Sequence, residues 1–419
     1  MGKLWTIIVH RGYRNAVIGI FGVKAVTVKG FSKVGLSLVW IFLAQGLVYG
    51  AQTTQGLKTE LSTLVLDRKT AVVDIDVDSN GEILVSTTEQ AVIAELKKRS
   101  ETNVKVRRLP DRDSLGEFVA GIVSVPVAEI HREPRFSSEI ISEAPMGTPV
   151  YLLEKKGWWR VQTPEGYHGW VHRLQVRAMK SSDFKRHFEV PQVMVKAFDA
   201  DIRSQDQRSI VTTLPAGALL GVVKRETDRT LVVLPNEKRG WIATGDTENI
   251  AHLFRKSSQE ALRANIAQDA LRLLGRTYRW AGVSPYGMDC SGLIKVVWLM
   301  NGLIGPRDAD EMAAMPGRLP VRKDFSYEAG DLLFFGKGKS VGHVAVSLGG
   351  TRFVHSLGDV HIGDFDAKSL EYDNWAKRTF LFAVRPEIGS GCIRPMTEVP
   401  LFEGRVQKPF LCPLDIRKK

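Results

Sequence analysis

The sequence predicts an α+β multidomain chain: a small α/β unit, two small β-barrels, and a larger C-terminal domain in which helices precede strands. Three observations lead there. At 419 residues the chain has room for about three domains. Pro145-Met146-Gly147 recurs 70 residues on as Pro215-Ala216-Gly217, and Gly169-Trp170 recurs 71 residues on as Gly240-Trp241, with short β-rich runs and turn residues between the markers. Finally, apolar residues at helical spacing from Ser257 to Leu274 give way to strand-like runs after the turn at Gly330-Asp331.

Each unit follows from its residues. Residues 1–50 carry basic residues, then the uncharged apolar run Val34 to Val48, then small residues with a cleavage point after Gly50, which is the order of a signal peptide; the alternative is a retained anchor. Residues 53–117 form the α/β unit. There Ala71 to Val77 and Gly81 to Ser86 alternate as strands about a Ser79-Asn80-Gly81 turn, Thr87 and Gln90 suggest a capping box before a helix to Lys98, and Asn103 to Leu109 is a third strand. The acids Asp74, Asp76 and Asp78 alternate as a wet strand face rather than a calcium loop. The barrels occupy residues 118–180 and 188–248, the C-terminal domain 252–388, and an irregular tail 389–419.

Composition narrows the function less. A chain that is 44% hydrophobic and 25% charged is neither disordered nor fibrous. The net charge of +12 favours anionic surroundings, whether nucleic acid, a membrane surface or a wall polymer. No metal-ligand spacing, phosphate loop or nucleic-acid motif occurs, so no metal, no cofactor and no nucleic-acid partner are the expectations.

The cysteines carry the chemistry. There are three, Cys290, Cys392 and Cys412, so at least one thiol is free. Cys392 and Cys412 lie 20 apart in the tail and either close a disulfide loop in an oxidising compartment or remain two thiols. Asp289-Cys290-Ser291-Gly292 follows a Gly/Pro-rich loop and precedes an apolar helix. That places Cys290 at a helix N-terminus, where the dipole and free N–H groups favour a nucleophilic thiolate.

A base is then required. His343 and His355 flank a hairpin with Gly349-Gly350 at its tip. A two-residue loop puts the two rings on opposite faces, whereas a loop one residue longer, with a bulge, pairs His343 directly with His355. The second arrangement is expected, because it lets His343 take the thiol proton while His355 fixes its tautomer.

Tyr278-x-Trp280, Asp289-Cys290-Ser291-Gly292, Arg307-Asp308, Gly330-Asp331-Leu332, Gly342-His343-Val344 and His355 together resemble the NlpC/p60 cysteine peptidases, over about residues 262 to 387. The repeat resembles bacterial SH3-like domains. With both, the chain looks like the γ-D-glutamyl-L-diamino acid endopeptidases of bacterial cell walls. The resemblance implies a papain-like catalytic domain with Cys290 as nucleophile, His343 as base and His355 as orienting residue. It also implies an oxyanion site from the Cys290 N–H with Tyr278 nearby. For substrate, it implies that Asp308 receives a free N-terminal amine of L-Ala, with Glu139 and Tyr167 contributed by the first barrel and Asp289, Ser291 and Trp280 completing the pocket.

The expected protein is thus exported to the periplasm or extracellular envelope. It is monomeric, it touches the membrane only transiently through its leader, and it acts on peptidoglycan-derived peptides. The competing expectations are a hydrolase or amidase of intact cross-linked peptidoglycan, and a wall-binding protein with an inert catalytic domain.

Overall fold

The computed structural model describes residues 56–407 and Cys412, apart from residues 66, 68, 79, 99–103, 255–257 and 390, together with two short strands, Asn15–Ile18 and Val26–Lys29, that pair antiparallel. The apolar run from Val34 to Val48 and the cleavage point after Gly50 lie outside the described residues. Among the described residues no helix is long and apolar enough to cross a membrane.

The N-terminal unit is a three-stranded sheet. Strand β1 (Val73–Val77) runs antiparallel to β2 (Ile83–Thr87), and β2 runs parallel to β3 (Val104–Arg108), which it reaches through the crossover helix α1 (Gln90–Lys97). Helix α1 buries Val92 and Leu96, one turn apart, against Leu57, Leu61 and Val85. The expected capping box is absent. The N-cap is Glu89, and the Thr87 hydroxyl is drawn back into the sheet, donating to the Val72 carbonyl and accepting from the Glu89 N–H. Asp74 leaves the wet face of β1 to pair with Arg160 of the first barrel.

That barrel contains β4 (Ala120–Val123), β5 (Val127–His131), β6 (Ile140–Pro145), β7 (Pro149–Lys155), β8 (Trp158–Gln162), β9 (His168–His172) and β10 (Val176–Met179), in the order β10-β4-β7-β8-β9-β5-β6. The second contains β11 (Gln192–Val195), β12 (Ala200–Arg203), β13 (Ile210–Leu214), β14 (Leu219–Arg225), β15 (Arg229–Val233), β16 (Arg239–Ala243) and β17 (Thr247–Asn249), in the order β17-β11-β14-β15-β16-β12-β13. The two orders agree strand for strand, so the sequence repeat is a repeat of topology. The shared Gly-Trp pair has a shared cause. A Cβ on Gly169 would strike Ile130 and the His131 carbonyl, and one on Gly240 would strike Ile202 and the Arg203 carbonyl, while Trp170 pairs with His131 and Trp241 with Arg203. Only glycine lets the closing strand approach its neighbour at that point.

The C-terminal domain packs helices α2 (Gln259–Leu271) and α3 (Cys290–Met300) on one face of a six-stranded antiparallel sheet. Its strands are β18 (Arg318–Leu319), β19 (Leu332–Lys337), β20 (Ser340–Gly349), β21 (Arg352–Leu357), β22 (Asp359–Asp364) and β23 (Phe380–Val384), in the order β18-β23-β19-β20-β21-β22. Helix α3 is apolar nearly all round because it is central. Leu293, Val297 and Trp298 meet Val344, Val346 and Val354 of the sheet in one core. Two shorter helices, α4 (Ala309–Ala313) and α5 (Asn374–Thr379), lie near the strand ends. In Gly330-Asp331-Leu332 the acid is a brace: fully buried Asp331 accepts from Arg385 Nε and Nη2 at 2.8 Å each and from the Glu328 N–H at 3.0 Å.

Among the described residues of the tail, more order is found than expected. Arg394–Pro395 pairs with Leu303–Ile304, Ile393, Met396 and Leu401 are buried, and Cys392 and Cys412 are joined by a disulfide with their Cα atoms 4.6 Å apart. Apolar residues every few positions anchor the segment to the catalytic domain and the barrels despite its lack of strand or helix patterning.

Candidate active site

Cys290 is the first residue of α3, and its neighbours explain why a helix begins there. Asp289 is the N-cap: its Oδ1 accepts from the Gly292 N–H at 2.6 Å and from the Ser291 hydroxyl at 3.1 Å. Its Oδ2 accepts from the N–H of Ala281 at 3.0 Å, which helps to hold that residue at a left-handed φ of 63°. Gly292 is required because a Cβ there would run into the Gly282 carbonyl as the helix passes the preceding loop. Behind Asp289 lies Arg307, whose Nη2 and Nη1 donate to the carboxylate at 2.8 and 3.2 Å. Arg307 Nη1 also reaches Ser291 Oγ at 2.8 Å, and Nε reaches Ser142 Oγ of the first barrel at 3.1 Å.

His343 on β20 and His355 on β21 are both buried. The hairpin between them does carry a bulge, between Ser347 and Gly349, and the rings share a face, but the expected direct pairing of His343 with His355 is not formed. The ladder runs Val346 to Val354 and Ser347 to Phe353, which carries His355 opposite Ala345, two positions from His343. The rings therefore meet on the diagonal, His343 Nε2 lying 3.0 Å from His355 Nδ1. The loop is the two residues Gly350 and Thr351, between the paired Gly349 and Arg352 and one position later than a tip at Gly349-Gly350, and the bulge beside it returns the two rings to a common face.

A third histidine, absent from the sequence-based expectations, extends the pair. His355 Nε2 lies 2.8 Å from Nε2 of His361, its partner across β21 and β22, and His361 Nδ1 lies 2.8 Å from Asp359 Oδ1. With all three rings neutral, one placement of protons satisfies this row. Asp359 only accepts, so His361 holds its proton on Nδ1; His355 then donates from Nε2 and His343 from Nε2. His343 is left with its lone pair on Nδ1, the nitrogen a base needs. Asp373 lies 3.8 Å from His355 Nε2 on the other side.

Burial keeps His343 and His355 neutral, pushing His343 down to about 4 and His355 down to about 3. The thiol behaves otherwise than the helix dipole alone predicts. Burial, and then the Asp289 charge, push Cys290 up to about 11, outweighing the N–H groups of Val344 and Ser291 that favour the thiolate. The thiol and the His343 ring, which line the same cleft, are thus both favoured in their neutral forms. Burial also raises Tyr278 to about 12, so its hydroxyl remains a donor.

Cys290 and His343 line a cleft of about 470 Å³ whose other walls come from the first barrel and the N-terminal unit. Asp308, the N-cap of α4, accepts from the Tyr167 hydroxyl at 3.3 Å and lies 2.8 Å from the Lys69 ammonium. Glu139 is in the cleft wall but is paired with Arg132 at 2.8 Å, and Trp280 stands on the rim, 65% exposed. The barrel is docked by charge as well as shape. Glu143 accepts from the Val283 N–H at 2.9 Å and pairs with Arg279 at 2.7 Å, and Glu165 forms a buried pair with Lys295 of α3.

A lone cysteine at the head of a buried helix, facing histidines on an antiparallel sheet, defines the papain-like peptidase architecture. Residues 275–384 match the NlpC/P60 family and residues 126–175 the bacterial SH3 domain. Dipeptidyl-peptidase 6 of Lysinibacillus sphaericus is 31% identical over 264 residues, covering 60% of this chain and 93% of that protein. The gamma-D-glutamyl-L-lysine dipeptidyl-peptidase of Bacillus cereus is 28% identical over 241 residues, covering 52% and 68%. The crystal structure of an NlpC/P60 family protein from Bacillus cereus has the same fold, with a TM-score of 0.53 at 21% identity over 63% of this chain and 98% of that one. The chain belongs to the NlpC/P60 family of peptidases.

Proposed function

We propose that this protein is an exported cysteine endopeptidase that hydrolyses the γ-D-glutamyl-L-diamino acid bond of peptidoglycan stem peptides or muropeptides with a free N-terminal L-Ala. The observation that carries the reading is the histidine row, which leaves the Nδ1 lone pair of His343 in the cleft that also holds the Cys290 thiol.

The chemistry follows in order. His343 Nδ1 takes the thiol proton as Cys290 Sγ attacks the γ-carbonyl carbon of D-Glu, so thiolate forms only as it is consumed. The oxyanion is met by the Cys290 N–H and the Tyr278 hydroxyl. The proton on His343 passes to the departing amine of the diamino acid, the C–N bond breaks, and water attacks the thioester with His343 again as base. His355 and His361 hold the tautomer and ring plane. Asp308 and Tyr167 receive the α-ammonium of L-Ala, a charged pairing that discriminates strongly in a partly dry cleft. The bond specificity is supported by the Bacillus cereus relative, which is named a gamma-D-glutamyl-L-lysine dipeptidyl-peptidase. Export agrees with a disulfide between Cys392 and Cys412, a bond at home in an oxidising compartment.

The test is product analysis with L-Ala-γ-D-Glu-L-diamino acid peptides, free and N-acetylated. Release of L-Ala-γ-D-Glu by the wild type and none by Cys290→Ala supports the reading. Release of an intact stem peptide from its sugar would replace it with an amidase.

A further inference from the structure

Lys69 belongs to the N-terminal unit, yet its ammonium lies in the catalytic cleft, 2.8 Å from Asp308 Oδ2 and 2.5 Å from Asp310 Oδ1. It is held there by its own backbone. The Lys69 carbonyl accepts from the His168 N–H of the first barrel at 3.0 Å, the Thr70 carbonyl accepts from Gln162 Nε2 at 2.7 Å, and the Lys69 N–H donates to Asp67 at 2.9 Å. The side chain thus projects from a fixed turn into the mouth of α4. Each of the two acids expected to meet a substrate amine is already paired within the chain, Asp308 with Lys69 and Glu139 with Arg132.

An ammonium on two carboxylates a short way from the nucleophile has the same chemistry as the α-ammonium of a peptide. We propose that Lys69 is a specificity-determining residue that stands in for the substrate's amine, so that a free-amine peptide must displace it whereas an N-acylated peptide need not. The inference rests on the reading that Asp308 receives the α-ammonium. It makes the cleft more tolerant of acylated N-termini, such as a stem peptide still joined to its sugar, than the same cleft would be without Lys69.

The discriminating quantity is the ratio of kcat/KM for L-Ala-γ-D-Glu-L-diamino acid to that for its N-acetyl form. In Lys69→Met this ratio rises about fivefold or more, carried in KM, the scale expected for exchanging one partly exposed ion pair. Lys69→Arg keeps the wild-type ratio, because its guanidinium still meets both carboxylates. A ratio that is unchanged or lower in Lys69→Met overturns the proposal.

If the wild type cleaves neither peptide, the γ-D-glutamyl reading fails separately, and binding decides about Lys69. The measurement is then protection of Cys290 from iodoacetamide by L-Ala-γ-D-Glu and by its N-acetyl form. Tighter protection by the free-amine dipeptide in Lys69→Met than in the wild type supports the inference; equal protection, or none in the variant, overturns it. Retained thermal stability of Lys69→Met shows that the turn, built on backbone bonds, is intact.

Discussion

Arg307 grips Asp289 through both terminal nitrogens, at 2.8 and 3.2 Å, with side-chain exposures of 1% and 9%. The same guanidinium reaches Ser291 and Ser142, so one buried cation fixes the residues on either side of Cys290 and fastens the first barrel to them. Replacing it with methionine strands the Asp289 charge, and a loss of about 3–5 kcal/mol in unfolding free energy is expected from urea titration. Arg307→Lys recovers little of this, because a single ammonium cannot reproduce the fork.

On the proposed mechanism, activity is governed on the acid side by His343. Only the neutral ring can take the thiol proton, and burial lowers its pKa to about 4. The kcat/KM profile is therefore flat through mildly acidic pH and falls below about 4. Alkylation of Cys290 by iodoacetamide in the free enzyme behaves oppositely, rising steadily towards alkaline pH as the thiol approaches its pKa of about 11. Fast alkylation at pH 5 would instead mean a preformed thiolate–imidazolium pair.

Stability has its own pH dependence. Burial depresses His187 and His343 to about 4 and His355 to about 3, against about 6.5 for an unfolded histidine. Between those values the unfolded chain binds more protons than the native one. The stability contributed by the neutral rings is therefore complete above pH 6.5 and is lost as pH falls through 4. Urea midpoints at pH 7.5, 5.5 and 4.5 should decline in that order.

His361 touches no reacting atom, so its effect must pass through its neighbours. His361→Phe removes the acceptor for His355 Nε2 and, second to burial, an electrostatic influence that helps hold His343 low. The expected result is a fall in kcat of about tenfold or more, with KM little changed. The acid limb of the kcat/KM profile should move to higher pH. His361→Gln, whose side-chain oxygen reaches the Nε2 position and can accept the same proton, should restore much of the loss. A variant that lost stability alone would leave the position of that limb where it was.

Much of the site could be read along the chain because it is local. The helix cap at Asp289 and the proposed nucleophile Cys290 beside it lie within four consecutive residues, and both barrels betray themselves through a Gly-Trp pair that close strand approach demands. What escaped reading is non-local. Lys69 and Asp310 are 241 residues apart, and no pattern near either announces the other. His361 falls beside His355 only through the pairing of β21 with β22, and its spacing from His355 is that of many strand residues. The histidine register was misplaced because a bulge near the hairpin tip depends on backbone geometry that several residues could adopt. The thiol's ionisation was misjudged because the dipole at a helix start is visible in sequence, whereas the depth of the cleft above it is not.

The cleft is a seam where three units meet: Lys69 enters from one, Tyr167 from another, and Cys290 with His343 from the third. On the proposed reading, the part of the selectivity carried by Lys69, Glu139 and Tyr167 is consequently encoded in cores separate from the one that carries the chemistry. Substitutions within either upstream unit can drift the substrate preference while the proton-transfer machinery is left alone, and a family of such chains could diversify its diet by exchanging wall modules around one unchanged reaction centre.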